Sequence, residues 1–428
     1  MMKQKLASTI LLAVLMVSVF TLVEEASAST SDDWPMFRGN LNHTGTSNTA
    51  PANTNNVLWR FDTGVPLGSS VTIVDGKAYV GSNDGAVYCI NAADGSQIWK
   101  ASLSQSYQAA ISSSIAVANG KLYFGCYNGA VYCLDASSGD MVWQYATDNS
   151  IQSSPAVTNG RVYIGSWDGN FYCIDAVTGN KIWNYTTGAL VDSSPAVVDG
   201  KVYFGSADHN VYCLNADTGG KIWSYATGNV IQSSPAVVEG YVYIGSHDNN
   251  VYCLKADTGE KVWSYRENGL VDSSPAVVNG FVYVGSGMLE GNTDKNVYCL
   301  KAATGEKVWS FETYDGVYSS PTVVGGYLYV GGWDGNFYCL NATSGERLWI
   351  YTTNDNISSS PVVSNGVVYI TSWDKFIYAL GAQSTTNAST DIPIWAIGLG
   401  VVIAVTVVVA LAFNFVIYKK PKTKKVKR

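Results

Sequence analysis

The side chains best suited to binding chemistry fall at two fixed positions of a repeating unit. The first position carries ring side chains, namely Tyr127, Trp167, His247, Trp333 and Trp373. The second carries amide or carboxylate groups, namely Gln152, Asp192, Gln232 and Asp272. Rings of this kind offer contact surfaces to a protein, peptide or sugar, and polar groups beside them can fix its orientation. The pattern therefore predicts a binding surface.

Each candidate has a structural alternative. Every ring could instead cover the edge of its own hairpin. The oxygen atoms of Asp192 and Asp272 would suit Ca²⁺, although carboxylates at such positions could also be simply hydrated. The chain has three histidines, at positions 43, 209 and 247, and their spacing matches neither a Ser–His–Asp triad nor a histidine-rich metal centre. The sequence alone therefore assigns no catalytic, cofactor or metal residue.

Composition indicates which elements must position these side chains. The 428 residues include 42 Gly, 28 Tyr and 13 Trp, and 14% are charged. Low charge argues against disorder, and the abundance of Tyr, Val, Trp and Gly indicates short strands and tight turns rather than helices. Between residues 29 and 418 there are 17 basic and 31 acidic residues, a net charge of −14. Such a charge makes nucleic-acid binding improbable.

One sequence unit recurs along the middle of the chain. It is marked by tryptophans spaced 40 to 46 residues apart: Trp59, Trp99, Trp143, Trp183, Trp223, Trp263, Trp309 and Trp349. Each unit contains four short apolar runs, here named A to D. The A–B junction is Asp75-Gly76, Asn119-Gly120 or a similar pair, which favours a type I′ hairpin. Four-stranded meanders at this period are typical of propeller blades.

The ends of the repeat predict how the ring closes. The last unit, residues 359–380, supplies three strands, whereas Trp59 lies in a D-type run with no unit before it. The N-terminal strand should therefore complete the last blade and remove an open sheet edge. We predict an all-β fold, an eight-bladed propeller with four-stranded antiparallel blades over residues 57–382, preceded by a lead-in at residues 29–56.

The segment from Cys173 to Trp183 resembles the eleven-residue tryptophan-docking motif of quinoprotein (PQQ-type) propellers. Seven units carry it, and Trp59 supplies the eighth tryptophan. The resemblance implies a structural role for all eight, each ring stacking on the neighbouring blade. The family includes dehydrogenases that use pyrroloquinoline quinone and non-enzymatic members of the BamB type. The dehydrogenases use adjacent cysteines and long insertions, which this chain lacks, so it more closely resembles the BamB type.

The cysteines follow the same repeat. Seven of the eight lie at one strand position per unit, and equivalent positions in packed blades are too far apart for disulfide bonds. We expect them to act as small buried apolar side chains. Cys126 lies on the same hairpin as Cys133, so a disulfide between these two is an alternative.

The insertions point to one face of the propeller. In a four-stranded meander, the B–C turns and the D–A loops lie on the same side. The two insertions in the repeat fall between Trp99 and Ser113, in a D–A loop, and between Gly285 and Cys299, in a B–C turn. Insertions gathered on one face of a repeat protein indicate the binding face.

The two chain ends have the sequence features of export and anchoring. Residues 1–28 combine early lysines, an apolar run and Ala26-Ser27-Ala28, which predicts a signal peptide, with an uncleaved signal anchor as the alternative. Residues 383–393 form a polar stalk. Residues 394–418 are long and apolar enough to be one transmembrane helix, and residues 419–428 form a basic tail. This order predicts a single-pass type I protein of the cell membrane, with an extracellular propeller and a cytoplasmic C-terminus.

Together these features predict a non-enzymatic scaffold that binds a cell-envelope protein or a surface glycan and needs no cofactor. One alternative is a quinone-dependent oxidoreductase with a site around Asp192 and Asp272. The other is a glycan-binding surface protein that uses Trp167, Trp333 and Trp373.

Overall fold

The computed structural model describes residues 33–103, 109–287 and 294–382. These residues contain thirty-two β-strands, β1 to β32. Within these ranges the strands form eight four-stranded sheets, and every neighbouring pair of strands is antiparallel. The prediction of an all-β, eight-bladed propeller is confirmed.

The blades are numbered I to VIII, and their strands keep the names A to D. Blade I contains Thr72–Val74, Lys77–Gly81, Ala86–Asn91 and Gln97–Ser102 (β2 to β5). Blade II contains Ala116–Ala118, Lys121–Gly125, Ala130–Asp135 and Met141–Ala146 (β6 to β9). Blade III contains Ala156–Thr158, Arg161–Gly165, Asn170–Asp175 and Lys181–Thr186 (β10 to β13). Blade IV contains Ala196–Val198, Lys201–Gly205, Asn210–Asn215 and Lys221–Ala226 (β14 to β17).

The remaining blades have the same plan. Blade V contains Ala236–Val238, Tyr241–Gly245, Asn250–Lys255 and Lys261–Arg266 (β18 to β21). Blade VI contains Ala276–Val278, Phe281–Gly285, Asn296–Lys301 and Lys307–Glu312 (β22 to β25). Blade VII contains Thr322–Val324, Tyr327–Gly331, Asn336–Asn341 and Arg347–Thr352 (β26 to β29). Blade VIII contains Val362–Ser364, Val367–Thr371 and Phe376–Gly381 (β30 to β32), with Val57–Asp62 (β1) as its fourth strand.

Blade VIII closes the ring as predicted. Strand β1 pairs antiparallel with β32, and Trp59 lies opposite Ala379. The A strands of successive blades contact one another, so strand A is innermost and strand D outermost. Every blade therefore has a neighbouring blade on both sides.

The A–B hairpins have the predicted type I′ signature. Asn159 and Gly160 have φ angles of 50° and 70°, and both central residues of a type I′ turn need positive values. Glu239 adopts the same conformation, with φ of 51°, although glutamate gives no turn signal in the sequence. At that position the pairing of the flanking strands imposes the turn.

The docking tryptophans hold each blade to the next. The ring of Trp183 lies against Gly219 of the following blade, and its Nε1–H donates to the Ala216 carbonyl at 3.2 Å. Seven of the eight tryptophans donate such a bond within the described residues. Trp349, which faces blade VIII, has a buried Nε1 without a described partner. A tyrosine of strand B reinforces the contact, as in Tyr163, whose hydroxyl donates to the same Ala216 carbonyl at 3.1 Å.

The cysteines lie inside the blades, as expected. All eight are buried free thiols, including Cys126 and Cys133. Burial raises the pKa of the Cys126 thiol to about 11, and the pKa of Cys173 to about 12. These thiols are therefore protonated and unreactive at neutral pH.

The lead-in, residues 29–56, is hydrogen-bonded to most of the blades. Between Trp34 and Ala50 it runs along the inner strands, and its carbonyls accept hydrogen bonds from backbone amides of blades I, II and IV to VIII. Arg38 of this segment is 1% exposed and donates to the Pro275 carbonyl at 3.1 Å. Burial lowers the pKa of Arg38 to about 9. The lead-in thus covers the inward edges that the A strands would otherwise expose.

The described strands lie in a compact unit that ends at Ala382. The predicted signal peptide, stalk, transmembrane helix and basic tail fall outside the described residues. Among the residues that are described, no helix is both long and apolar enough to cross a membrane.

Candidate functional site

The face made by the B–C turns and D–A loops is built around one aspartate in every blade except blade II, where Asn128 takes its place. In blade V, Asp248 accepts hydrogen bonds from the Tyr252 hydroxyl and the Gly228 amide, both at 2.6 Å. Burial alone would raise the pKa of Asp248, but the bonds from Tyr252, Asn250 and Gly228 outweigh it, and the pKa lies below the usual value. The ionised carboxylate thereby joins the D–A loop of one blade to the B–C turn of the next.

A hydroxyl pair supports the same junction. The Thr227 hydroxyl donates to the carbonyls of His209 and Asn229, each at 2.9 Å. Its oxygen is within 3.3 Å of the Ser246 hydroxyl, which donates to it. The same Ser–Thr contact joins Ser166 to Thr147 and Ser372 to Thr353. These fixed loops position the predicted binding residues.

The predicted residues of blades II to VI form three hydrogen-bonded sets, here together called the polar sector. The Trp167 indole N–H donates to one oxygen of Asp192, and the Gln232 amide donates to the other at 3.0 Å. Burial raises the pKa of Asp192, and these two donors oppose the shift. Gln152 donates to the Tyr127 hydroxyl in the same way. Each ring therefore contacts the start of strand A in the following blade, not only its own hairpin.

His247 and Asp272 continue this arrangement. The His247 Nε2 is hydrogen-bonded to a carboxylate oxygen of Asp272, and both side chains are about one-fifth exposed, at 17% and 20%. Burial lowers the pKa of His247, but the hydrogen bond and charge of Asp272 outweigh it, so the net shift is upward. Protonated His247 is therefore favoured by folding.

A pH dependence of stability follows from this pair. Because the pKa of His247 is higher in the folded chain, its contribution is complete below the unfolded pKa of about 6.5 and is lost as pH rises through the folded pKa. We expect His247→Gln to reduce the free energy of unfolding by about 0.5–1 kcal/mol at pH 5.5, and less at pH 8.5. Chemical denaturation at both pH values checks this. An equal loss at both would show that the imidazole charge has no role.

Blades VII and VIII carry a second group, here called the aromatic sector. Tyr318 and Trp333 have ring centroids 4.3 Å apart, and Trp333 and Trp373 are 6.1 Å apart. The indole N–H of Trp373 donates to the Ser358 hydroxyl at 3.1 Å, while 40% of Trp373 is exposed. In these two blades each tryptophan contacts the start of its own strand A. The three rings form one continuous apolar surface beside the polar sector.

Most of these residues were predicted as binding residues from the sequence, but Tyr318 and Ser358 were not among the chosen candidates. Tyr318 and Ser358 occupy the same repeat position as Asp192, and a tyrosine among polar residues was the available signal for an aromatic cluster. Tyr314 is 71% exposed in the D–A loop before blade VII. The repeat pattern did not indicate Tyr314 as a binding residue, because a single tyrosine in a loop has no periodicity.

The geometry also bears on the alternative ligands. The oxygens of Asp192 and Asp272 that were considered for Ca²⁺ take hydrogen bonds from Trp167, Gln232 and His247. Within the described ranges, no group of three or more His, Cys, Asp or Glu side chains is arranged to hold a metal ion. The arrangement places apolar rings beside carboxylate and amide groups on one face.

Comparison with known proteins identifies relatives of this fold. The family described as outer membrane protein assembly factor BamB matches the sequence over residues 49–112, 104–311 and 293–388. No curated protein sequence matches the chain.

Solved structures share the architecture at low sequence identity. BamB from Moraxella catarrhalis is 20% identical, with a TM-score of 0.66 over 77% of this chain and 100% of that one. Quinohemoprotein alcohol dehydrogenase from Comamonas testosteroni is 14% identical, with a TM-score of 0.71 over 84% and 82% of the two chains. A europium-containing methanol dehydrogenase is 16% identical, with a TM-score of 0.69 over 79% and 89%. At these identities the structural matches establish the fold alone.

Proposed function

Because this chain belongs to the family described as outer membrane protein assembly factor BamB, we propose that it is a protein-binding scaffold of the cell envelope. Its partner docks on the face that carries the polar and aromatic sectors. The family relationship supports a protein partner at a coarse level. The position of the docking surface is argued from the geometry of this chain.

The observation that carries the proposal is the aromatic sector. Tyrosine and tryptophan dominate binding energy at protein interfaces, because each buries a large area at a small cost in side-chain entropy. Here Tyr318, Trp333 and Trp373 stack side by side, and Trp373 stays 40% exposed. Three contiguous rings on the face with the sequence insertions form a surface that a partner can cover.

The acidic residues of the same face define the chemistry of the partner. Carboxylates lie along the loops at most junctions, as at Asp168, Asp208, Asp248, Asp334 and Asp374. The sequence between residues 29 and 418 has a net charge of −14. A partner surface with lysine or arginine around an apolar centre would complement this face and associate faster at low salt.

The proposal assigns no catalytic step to the protein. Acid–base chemistry at the start of the A strands would use Asp192 and Asp272. Both are engaged by neighbouring side chains that fix them in place. Quinone chemistry is the competing proposal, supported by the dehydrogenases that share the fold. Redox turnover by the full-length protein with pyrroloquinoline quinone and Ca²⁺ would favour it.

Anchoring is a further part of the proposal. The apolar sequence of residues 394–418 and the basic residues after it support a single-pass type I arrangement with the propeller outside the cell. Protease treatment of intact cells should then digest the propeller while an epitope at the C-terminus stays protected.

Cross-linking of the full-length protein in intact cells, followed by mass spectrometry, tests the docking surface. We expect links from one envelope protein to map to the B–C turns and D–A loops. The purified partner should then bind Trp373→Ala at least about 30-fold more weakly than the wild type, as for an interface hot spot. Because Trp373 is already partly exposed, thermal unfolding should change little.

The matched control is Val177→Ala. Val177 is 78% exposed in the C–D turn, on the opposite face, and this variant should bind normally. Links confined to the C–D side, or equal loss in both variants, would contradict the choice of face. Retention of a soluble glycan, rather than a protein, by the wild type and not by Trp373→Ala would support the glycan alternative.

A further inference from the structure

One junction between blades departs from the repeat and leaves a carboxyl group buried without a partner. Glu267 stands in the D–A loop after blade V, where six other loops have a threonine: Thr63, Thr147, Thr187, Thr227, Thr313 and Thr353. The Glu267 side chain is 2% exposed. Neither of its carboxylate oxygens accepts a hydrogen bond in the described structure.

The hydroxyl opposite Glu267 is also without a partner. Ser286 of blade VI is the counterpart of Ser246, whose hydroxyl donates to Thr227 at 3.3 Å. In blade VI the serine faces a carboxyl group instead, and its buried Oγ makes no hydrogen bond of normal geometry. Burial, and then the charge of Asp294, raise the pKa of Glu267 well above its usual value, while the nearby Ser286 hydroxyl opposes the shift.

A second carboxylate lies at the same junction. Asp294 is 4% exposed; one of its oxygens accepts hydrogen bonds from the Asn268 amide at 3.0 Å and the Tyr298 hydroxyl at 2.8 Å, and the other accepts one from the Asn296 side-chain amide at 2.5 Å. The surrounding atoms converge on the backbone at Gly269. A Cβ there would lie 2.4 Å from the Gly287 carbonyl oxygen, 2.5 Å from Ser286 Oγ and 2.8 Å from Asp294 Cβ. These separations are shorter than a real Cβ tolerates, so the atoms at this junction are packed closely around Gly269.

The change from threonine to glutamate also removes a donor. In the six junctions that have a threonine, its hydroxyl donates to two backbone carbonyls, as Thr227 does to His209 and Asn229. By register, the corresponding carbonyls near Glu267 are those of Asn249 and Gly269. When its carboxyl group is ionised, residue 267 therefore brings an acceptor to a place where the repeat has a donor. An ionised carboxylate buried among acceptors is unfavourable unless a cation compensates it.

We propose that Glu267, Ser286 and Asp294, with the carbonyl oxygen of Gly287, form a Ca²⁺ site that joins blade V to blade VI. Two carboxylates match the charge of a divalent ion, and hydroxyl and carbonyl oxygens are the neutral ligands that Ca²⁺ accepts. The ion takes the place of the Ser–Thr hydroxyl pair seen at the junctions of Thr147, Thr227 and Thr353. This site lies at the D–A loop and uses neither Asp192 nor Asp272.

Thermal unfolding of the full-length protein, stripped with a chelator and then titrated with Ca²⁺, tests the proposal. At a free Ca²⁺ concentration about 100-fold above Kd, we expect the Tm to rise by about 5 °C. Terbium should bind in place of Ca²⁺ and give luminescence sensitised through tyrosines such as Tyr298. Calorimetry should give one site per chain.

Glu267→Thr is the decisive variant, because it restores the residue that the repeat itself uses and should therefore fold. It should lose both the Ca²⁺-dependent rise in Tm and the terbium signal, and Glu267→Gln should lose them too. Asp248→Asn is the matched control: it removes the equivalent carboxylate from a junction that has threonine, and should keep the full response to Ca²⁺. The proposal is overturned if the wild type does not respond, or if Glu267→Thr responds like the wild type.

Discussion

Replacing Trp59 by alanine is expected to lower the free energy of unfolding by about 3–5 kcal/mol, the range for removing a buried tryptophan. Trp59 is 8% exposed, packs against Gly95 and Tyr369, and donates to the Ala92 carbonyl at 2.9 Å. It joins blade VIII to blade I, where the ring is closed by a strand from the other end of the sequence. Chemical denaturation gives the size of the loss, and hydrogen exchange locates it.

Trp223→Ala is the control for this prediction. Trp223 has the same 8% exposure and donates to the Ala256 carbonyl at the same 2.9 Å, but its blade is built from consecutive strands. Both variants should lose similar packing energy. In Trp59→Ala alone, the amides of β1 and β32 should exchange at least about 100-fold faster, because β1 is tied to its blade only through the ring closure. Equal exchange at this seam in both variants would show that the ring closure is not a weak point.

Gly219→Ala is expected to cost about 3 kcal/mol. Gly219 has φ of +71°, and a Cβ on it would lie 2.7 Å from the ring of Trp183. A left-handed conformation costs an alanine roughly 1–2 kcal/mol, and displacing the packed indole adds about 1–3 kcal/mol. Urea denaturation of the purified protein checks the sum.

Gly200→Ala separates the two contributions. Gly200 has the same φ of +71°, and no atom lies within 4 Å of the position its Cβ would take. This variant should lose only the conformational part, about 1–2 kcal/mol. The difference between the variants measures how firmly the tryptophan holds the neighbouring blade. Equal losses of unfolding free energy in the two variants would show that the Trp183 indole can move aside at little cost.

Periodicity made the fold predictable from the sequence. Trp59 without a unit before it, and a last unit without its terminal tryptophan, were sufficient to predict ring closure by the N-terminal strand, and the pairing of Trp59 with Ala379 confirms it. Asn-Gly and Asp-Gly pairs located the hairpins because few residues other than Gly, Asn and Asp tolerate positive φ. These signals are local and repeat eight times, so chance matches are averaged out.

The candidate site was predictable in part. The positions of Trp167 and Asp192 in the repeat placed them on one face, but their direct hydrogen bond depends on the offset between neighbouring blades, which no single unit encodes. The path of the lead-in was also hidden, because Arg38 and its neighbours belong to no repeat. Glu267 was overlooked for a related reason: a departure from a repeat is informative only when the contacts of the usual residue are known.

The closure of blade VIII determines when this protein can finish folding. Synthesis delivers β1 long before β32, and more than three hundred residues separate the two strands. Until the last strand emerges, β1 has no partner strand. Blades I to VII can form one after another, since each is a local meander. An incomplete chain therefore remains an open arc with two unpaired edges, which makes the last strand a checkpoint that distinguishes finished molecules from truncated ones.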